Sequence, residues 1–202
     1  ESSSRPSDLS LAMHNLILQS VRNSSGQTIE WPMPEWLPYL LRWETKLDLD
    51  FTMHVNFGRL SMPRIPKTIG FMIQLQELDL QGIGLQEMPI QIVNLQKLTT
   101  LNVLDNELKS IDFVNYMPSL SVLLASLNQI SDIASINWAL GSWKNIHLSQ
   151  NPIHSLEPLF QIKTPLEYLT ISGTVAVTKE PGGMKTFVER FRGKFGQKLP
   201  VF

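Results

Sequence analysis

The chain has 202 residues, 43% hydrophobic and 17% charged, which is enough apolar material for one cored domain or a short repeat array and too little charge for wholesale disorder. Seventeen Lys plus Arg against 18 Asp plus Glu leave a formal charge of -1, excluding the chain-wide basicity of a dedicated nucleic-acid binder. Cysteine is absent, so thiolate metal sites, a cysteine nucleophile and disulfide frameworks are excluded, and the expected address is intracellular, cytoplasmic or nuclear.

Residues 7–22 place Leu9, Met13, Leu16, Ile17 and Val21 near helical spacing behind Ser7 and Asp8 as N-caps, which predicts a helix. Asn23 to Gly26 breaks it. Trp31, Trp36 and Trp43 follow among prolines that prevent one continuous helix. Residues 1–43 are therefore expected to form an N-terminal cap. No apolar run reaches the ~18–20 residues of a membrane span, and residues 1–6 lack the pattern of a secretory leader.

From residue 44 to 177 a repeat takes over. Leu75, Leu78 and Leu80 recur as Leu98, Leu101 and Val103, as Leu120, Leu123 and Ala125, as Trp143, Ile146 and Leu148, and as Leu166, Leu169 and Ile171. The middle members are separated by 23, 22, 23 and 23 residues, a period that marks a solenoid. Each copy predicts a short strand whose alternate side chains point inward. One strand cannot bury such a face alone, so stacking must fuse the inward leucines into a continuous core. Leu47 and Leu49 read as an earlier strand, with surplus length between Phe51 and Arg59 expected to bulge as a loop or hairpin.

Three positions beyond the last strand residue stand Asn106, Asn128 and Asn151, with Ile83 and Thr174 replacing asparagine at the ends of the series. A buried asparagine ladder would serve the backbone where the chain turns off the sheet. In the return halves, Ile65, Pro66, Ile69 and Met72 share offsets with Met88, Pro89, Ile92 and Leu95, a spacing that suits short helical turns with proline in the first turn. Later returns are less uniform.

These residues resemble an intracellular leucine-rich-repeat protein. The Pro-containing returns are similar to the Ras-suppressor and scribble group, whereas Asn128, Ile130 and Ile133 and then Asn151, Ile153 and Leu156 look more like repeats of the protein-phosphatase-1 regulatory type and of bacterial internalins. The resemblance implies an α/β solenoid, curved, with a parallel sheet on the concave face, short helical turns or loops on the convex face and caps at both ends. It also implies a scaffolding role.

Residues 178–202 are expected to form a basic C-terminal cap. From 179 to 202 six basic residues face two acidic ones, and Phe187, Phe191 and Phe195 recur every four residues, so a helix would align them to seal the last repeat. Lys185, Arg190, Arg192, Lys194 and Lys198 could alternatively contact an anionic partner.

Catalytic groups do not converge along the chain. His147 and His154, seven residues apart, lack metal-ligand spacing, and His14 and His54 stand alone. Gly82 and Gly84 follow a strand, but no long helix or downstream acid completes a dinucleotide site, so a turn pair is the better account. Asp48, Asp50, Glu77 and Asp79 read as a solvated acidic face. The expectation is no enzyme, no metal and no cofactor.

The outward strand positions carry the binding information. They run from acidic Asp48, Asp50, Glu77 and Asp79 through Asn102, Leu104, Val122 and Leu124 to His147 and Tyr168. Strand alternation directs Val122 and Leu124 away from the core, while Leu104 and Leu127 either tuck beside the asparagines or stay exposed. A protein partner of unknown identity is expected on this face. Two alternatives are an architectural subunit of a ribonucleoprotein, using the basic C-terminal segment on RNA, and a secreted pathogen effector or adhesin that binds a host protein.

Overall fold

The computed structural model describes residues 46–48, 64–65, 67–179 and 183–195. The expectations for residues 1–43, for the bulge between Phe51 and Arg59, for Asp50 and for Lys198 lie outside the described residues.

Six three-residue strands form one parallel sheet in chain order: β1 (Lys46–Asp48), β2 (Glu77–Asp79), β3 (Thr100–Asn102), β4 (Val122–Leu124), β5 (Asn145–His147) and β6 (Tyr168–Thr170). Their register puts Leu47 beside Leu78, then Leu101, Leu123, Ile146 and Leu169, so the repeat leucines occupy adjacent rungs. From Leu78 onward this row is buried, as are Leu80, Val103, Ala125, Leu148 and Ile171 two residues later. Each fully buried leucine contributes about 1.5–3 kcal/mol, and only stacking makes that burial available to such short strands.

The returns close as 3₁₀ turns at Lys67–Phe71, Ile90–Asn94, Asp112–Tyr116 and Glu157–Gln161. Each ends on the same backbone bond, three residues back, as in Leu95 N–H to Ile92 O at 3.0 Å and Met117 N–H to Val114 O at 3.1 Å. Such tight turns run only a few residues, which matches the little chain available before the next strand. The return after β4 differs. Trp138 is fully buried there, donates its indole N–H to Ile133 O at 3.2 Å and packs on Trp143 with ring centroids 5.3 Å apart.

The asparagine ladder is present at its three interior positions. Asn106 Oδ1 accepts Leu85 N–H at 2.8 Å, Asn128 Oδ1 accepts Leu108 N–H at 3.0 Å, and Asn151 Oδ1 accepts Ile130 N–H at 3.0 Å. Each amide then donates to the carbonyl three residues back and to the matching carbonyl of the preceding repeat. At the C-terminal end Thr174 supplies a hydroxyl donor to Ile171 O at 3.0 Å, and Ile83 is simply buried.

One residue before each of these positions the backbone is left-handed, at Gly82 (φ 68), Asp105 (φ 57), Leu127 (φ 57), Gln150 (φ 56) and Gly173 (φ 72). Glycine adopts this conformation without penalty, while a branched apolar residue does not. Gly84 is also left-handed, at φ 70, so the glycine pair is a turn element.

Beyond β6 the chain forms α1 (Val175–Lys179) and α2 (Gly183–Phe195). Phe187 and Phe191 are buried and form a three-ring cluster with Phe160, at centroid separations of 5.3 to 5.4 Å. Arg190 lies 4.7 Å over the Phe160 ring and makes a two-pronged contact with Glu157 at 2.7 and 3.0 Å. Among the described residues, no helix is long and apolar enough to cross a membrane.

Candidate partner-binding face

Side chains at the ends of each three-residue strand stand off the sheet on the side opposite the core, forming two rows across β2 to β6. The first runs Glu77, Thr100, Val122, Asn145 and Tyr168, and the second Asp79, Asn102, Leu124, His147 and Thr170. Asp48 takes the place beside Asp79 by register. The face is thus continuous from β2 to β6, and the fold brings together outward residues that are far apart in sequence.

At its N-terminal side Glu77 is exposed and Asp79 half-buried. Asp79 Oδ1 accepts Gln81 N–H at 3.0 Å and Oδ2 accepts the Asn102 amide at 2.9 Å, so its carboxylate is oriented by neutral donors. Asn102 retains only 8% exposure. Alternation points it outward, but its amide is held between Asp79 and Gln81 while its oxygen accepts Leu104 N–H at 3.1 Å. It braces the face rather than offering a free contact.

In the centre Val122, Leu124 and Leu104 are half-buried. Leu127 differs: it is 47% exposed and left-handed, so it does not tuck beside the asparagines. At the C-terminal side Tyr168 is 48% exposed and His147 half-buried. Burial holds the His147 imidazole below its ordinary pKa, because desolvation penalises the charged ring. In the two strand-end rows from β2 to β6 only Glu77 and Asp79 carry a formal charge, and Asp105, in the place that Leu127 takes one repeat later, adds a carboxylate.

The basic C-terminal candidates are scattered. Lys185 and Arg192 are exposed, whereas Arg190 is engaged with Glu157 and Lys194 donates to the Phe160 carbonyl. Half of the described basic set is therefore occupied in holding α2 to the last return. Among the described residues no group of three or more His, Asp or Glu side chains could hold a metal ion.

One surface escaped the sequence reading. Beside the 3₁₀ turns an open groove of about 630 Å³ is lined by Met88, Ile90, Phe113 and Tyr116 among polar residues, with Ile90 66% and Tyr116 63% exposed. The only available signal was Ile90 standing between the inward positions Met88 and Ile92.

No protein-family model matches the chain, and no curated protein matches it. Among solved structures it is similar to a leucine-rich-repeat protein of Leptospira interrogans, with 27% identity over 56% of this chain and 29% of that one and a TM-score of 0.52. The fold is a leucine-rich-repeat solenoid. A second similar structure is an internalin of Listeria monocytogenes, at 24% identity, covering 55% of this chain and 33% of the other with a TM-score of 0.41. The solenoid described here thus spans a third or less of the length of either protein.

Proposed function

We propose that this leucine-rich-repeat solenoid is a non-enzymatic scaffold or adaptor inside the cell, holding a protein partner on its concave face. Its Pro-containing returns favour kinship with the Ras-suppressor and scribble group. Stacked repeats build extended concave surfaces suited to binding. The observation that carries the reading is the apolar centre Leu104, Val122, Leu124 and Leu127 on a face that is otherwise polar. Apolar residues ringed by polar ones are what an interface core requires. Residues 1–43 and 178–202 then act as end caps, the second through Phe187 and Phe191.

The test is affinity purification with mass spectrometry on three forms of the full chain: wild type, Val122→Lys with Leu124→Lys, and Lys185→Glu with Arg192→Glu. A partner protein should be retained by the wild type and by the C-terminal variant, and lost from the concave variant while its circular dichroism stays native. Retention of every partner by the concave variant would refute the reading. Nuclease-sensitive capture lost only from the C-terminal variant would favour the ribonucleoprotein alternative instead.

A further inference from the structure

Resting on that reading, we infer that the concave face is gated by pH through His147: it holds its partner at neutral pH and releases it as the solution turns acidic. The placement comes from register. His147 stands in the second outward row between Leu124 of β4 and Thr170 of β6, at the margin of the apolar centre. Neighbouring strands lie about 4.8 Å apart, so a segment that covers Leu124 also reaches the imidazole one strand on.

No counter-charge stands at hand. β4 faces the ring with Val122 and Leu124, β6 with Tyr168 and Thr170, and its own strand with Asn145, so Tyr168 is the one other titratable side chain in these rows. Lys144 and Glu167 precede β5 and β6 and are exposed. Asp105 belongs to the turn after β3, two strands back, and Lys46, Asp48, Glu77 and Asp79 lie three or more strands away on β1 and β2. Among the described residues the ring has no hydrogen-bond or ion-pair partner. It is half-buried, and burial already holds its pKa below the ordinary value.

A partner laid over the ring removes the water that still reaches it, and the charged form loses that hydration with nothing to replace it. The pKa is therefore lower in the complex than in the free chain. By linkage, affinity is full above the free-state pKa and falls as pH drops through it. A carboxylate on the partner would reverse that sign. At neutral pH, however, it would meet an uncharged ring beside Leu124 and give up its own water without gaining a cation. An imidazole of ordinary pKa that cannot be protonated in the complex would weaken binding about thirtyfold at about pH 5.0. That is the ceiling for His147, whose pKa is lower.

The experiment is selection of a random peptide phage library on the full chain at about pH 7.5, followed by fluorescence anisotropy of the enriched peptides at about pH 7.5 and about pH 5.0. They are measured on wild type, on His147→Gln, and on Val122→Lys with Leu124→Lys, with circular dichroism confirming the fold of each at both pH values. The quantity read is the ratio of the two affinities on one protein. A loss that His147→Gln causes at both pH values cancels from it, and groups on the peptide titrate alike against both proteins. For peptides that need Val122 and Leu124, the acid-induced loss on wild type should exceed that on His147→Gln several-fold, and by at most about thirtyfold. Saturation with such a peptide should also lower the midpoint of the His147 ring followed by NMR. Equal ratios on the two proteins, a wild-type ratio shifted toward tighter binding in acid, or a ring midpoint unmoved or raised by the peptide would overturn this inference and leave the concave-face reading standing. Peptides indifferent to Val122 and Leu124, or no enrichment at all, would overturn both.

Discussion

Replacing Asn128 with alanine removes one rung of the ladder at a cost that follows from its neighbours. Its Oδ1 accepts Leu108 N–H at 3.0 Å, and its Nδ2 donates to Val103 O at 2.8 Å and to Ala125 O and Ser126 O at 3.2 Å. The three carbonyls survive truncation. Val103 O keeps Asn106 Nδ2 at 3.0 Å, Ala125 O keeps Asn151 Nδ2 at 2.9 Å, and Ser126 O keeps Asp105 N–H at 3.1 Å. Only Leu108 N–H is orphaned, at about 1–3 kcal/mol, with about 1 kcal/mol more for the shared bonds lost. The sum is about 3 kcal/mol, or a fall in Tm of roughly 6–12 °C for a chain of this size. Asn151→Ala should cost more, because Ile130 N–H is orphaned and Leu148 O is shared with no second asparagine, the next position being Thr174. Urea unfolding followed by circular dichroism measures both, with the m value held constant as the check on a common unfolded state. A loss below about 0.5 kcal/mol for Asn128→Ala, or a larger loss there than at Asn151, would refute the shared-acceptor argument. Asn128→Asp is a further control: it keeps the acceptor but sets a carboxylate against carbonyl oxygens, which raises its folded pKa. That variant should be most stable below the unfolded aspartate pKa of about 4 and lose stability as pH rises.

Leu127→Asn places a residue tolerant of left-handed backbone at an exposed position, so urea unfolding should show stability unchanged or raised by up to about 1 kcal/mol. A fall of more than about 1 kcal/mol would mean that Leu127 packs as core. Phe191→Ala opens the three-ring cluster and should cost about 3–5 kcal/mol, with hydrogen exchange rising first in residues 183–195; unchanged exchange there would detach α2 from the stability of the last repeat. His147 should titrate by NMR with a midpoint below 6.5, the ordinary histidine value. Its folded pKa is depressed, so its contribution is full above the unfolded pKa and is lost as pH falls below it. His147→Gln should flatten the pH dependence of stability in that window, and a midpoint at or above 6.5 would contradict the burial.

The strands, their order and their inward row were legible because burial on stacked rungs demands a strict interval, and Leu78, Leu101, Leu123, Ile146 and Leu169 keep it. The ladder was legible for a related reason: an amide offers an acceptor oxygen and two donor hydrogens at one buried turn. At Asn102 alternation gave the outward direction but not the hydrogen bonds that its amide makes to Asp79 and Gln81 across 23 and 21 residues. The basic C-terminal residues looked like a patch in the linear chain, yet helical geometry turned Arg190 back onto Glu157. The groove at Ile90 and Tyr116 was invisible because it depends on how two returns sit side by side, which no single repeat encodes.

An asparagine that draws on its own carbonyl and its predecessor's carries no memory of which predecessor it meets. Were residues 106–127 excised, Asn128 would fall where Asn106 stands, with Leu80 O in reach and Ile130 in the berth of Leu108. The seam would close, whereas a cut that is not a whole number of repeats would swing leucines into water. The molecule is therefore adjustable in length by whole turns without redesigning a joint.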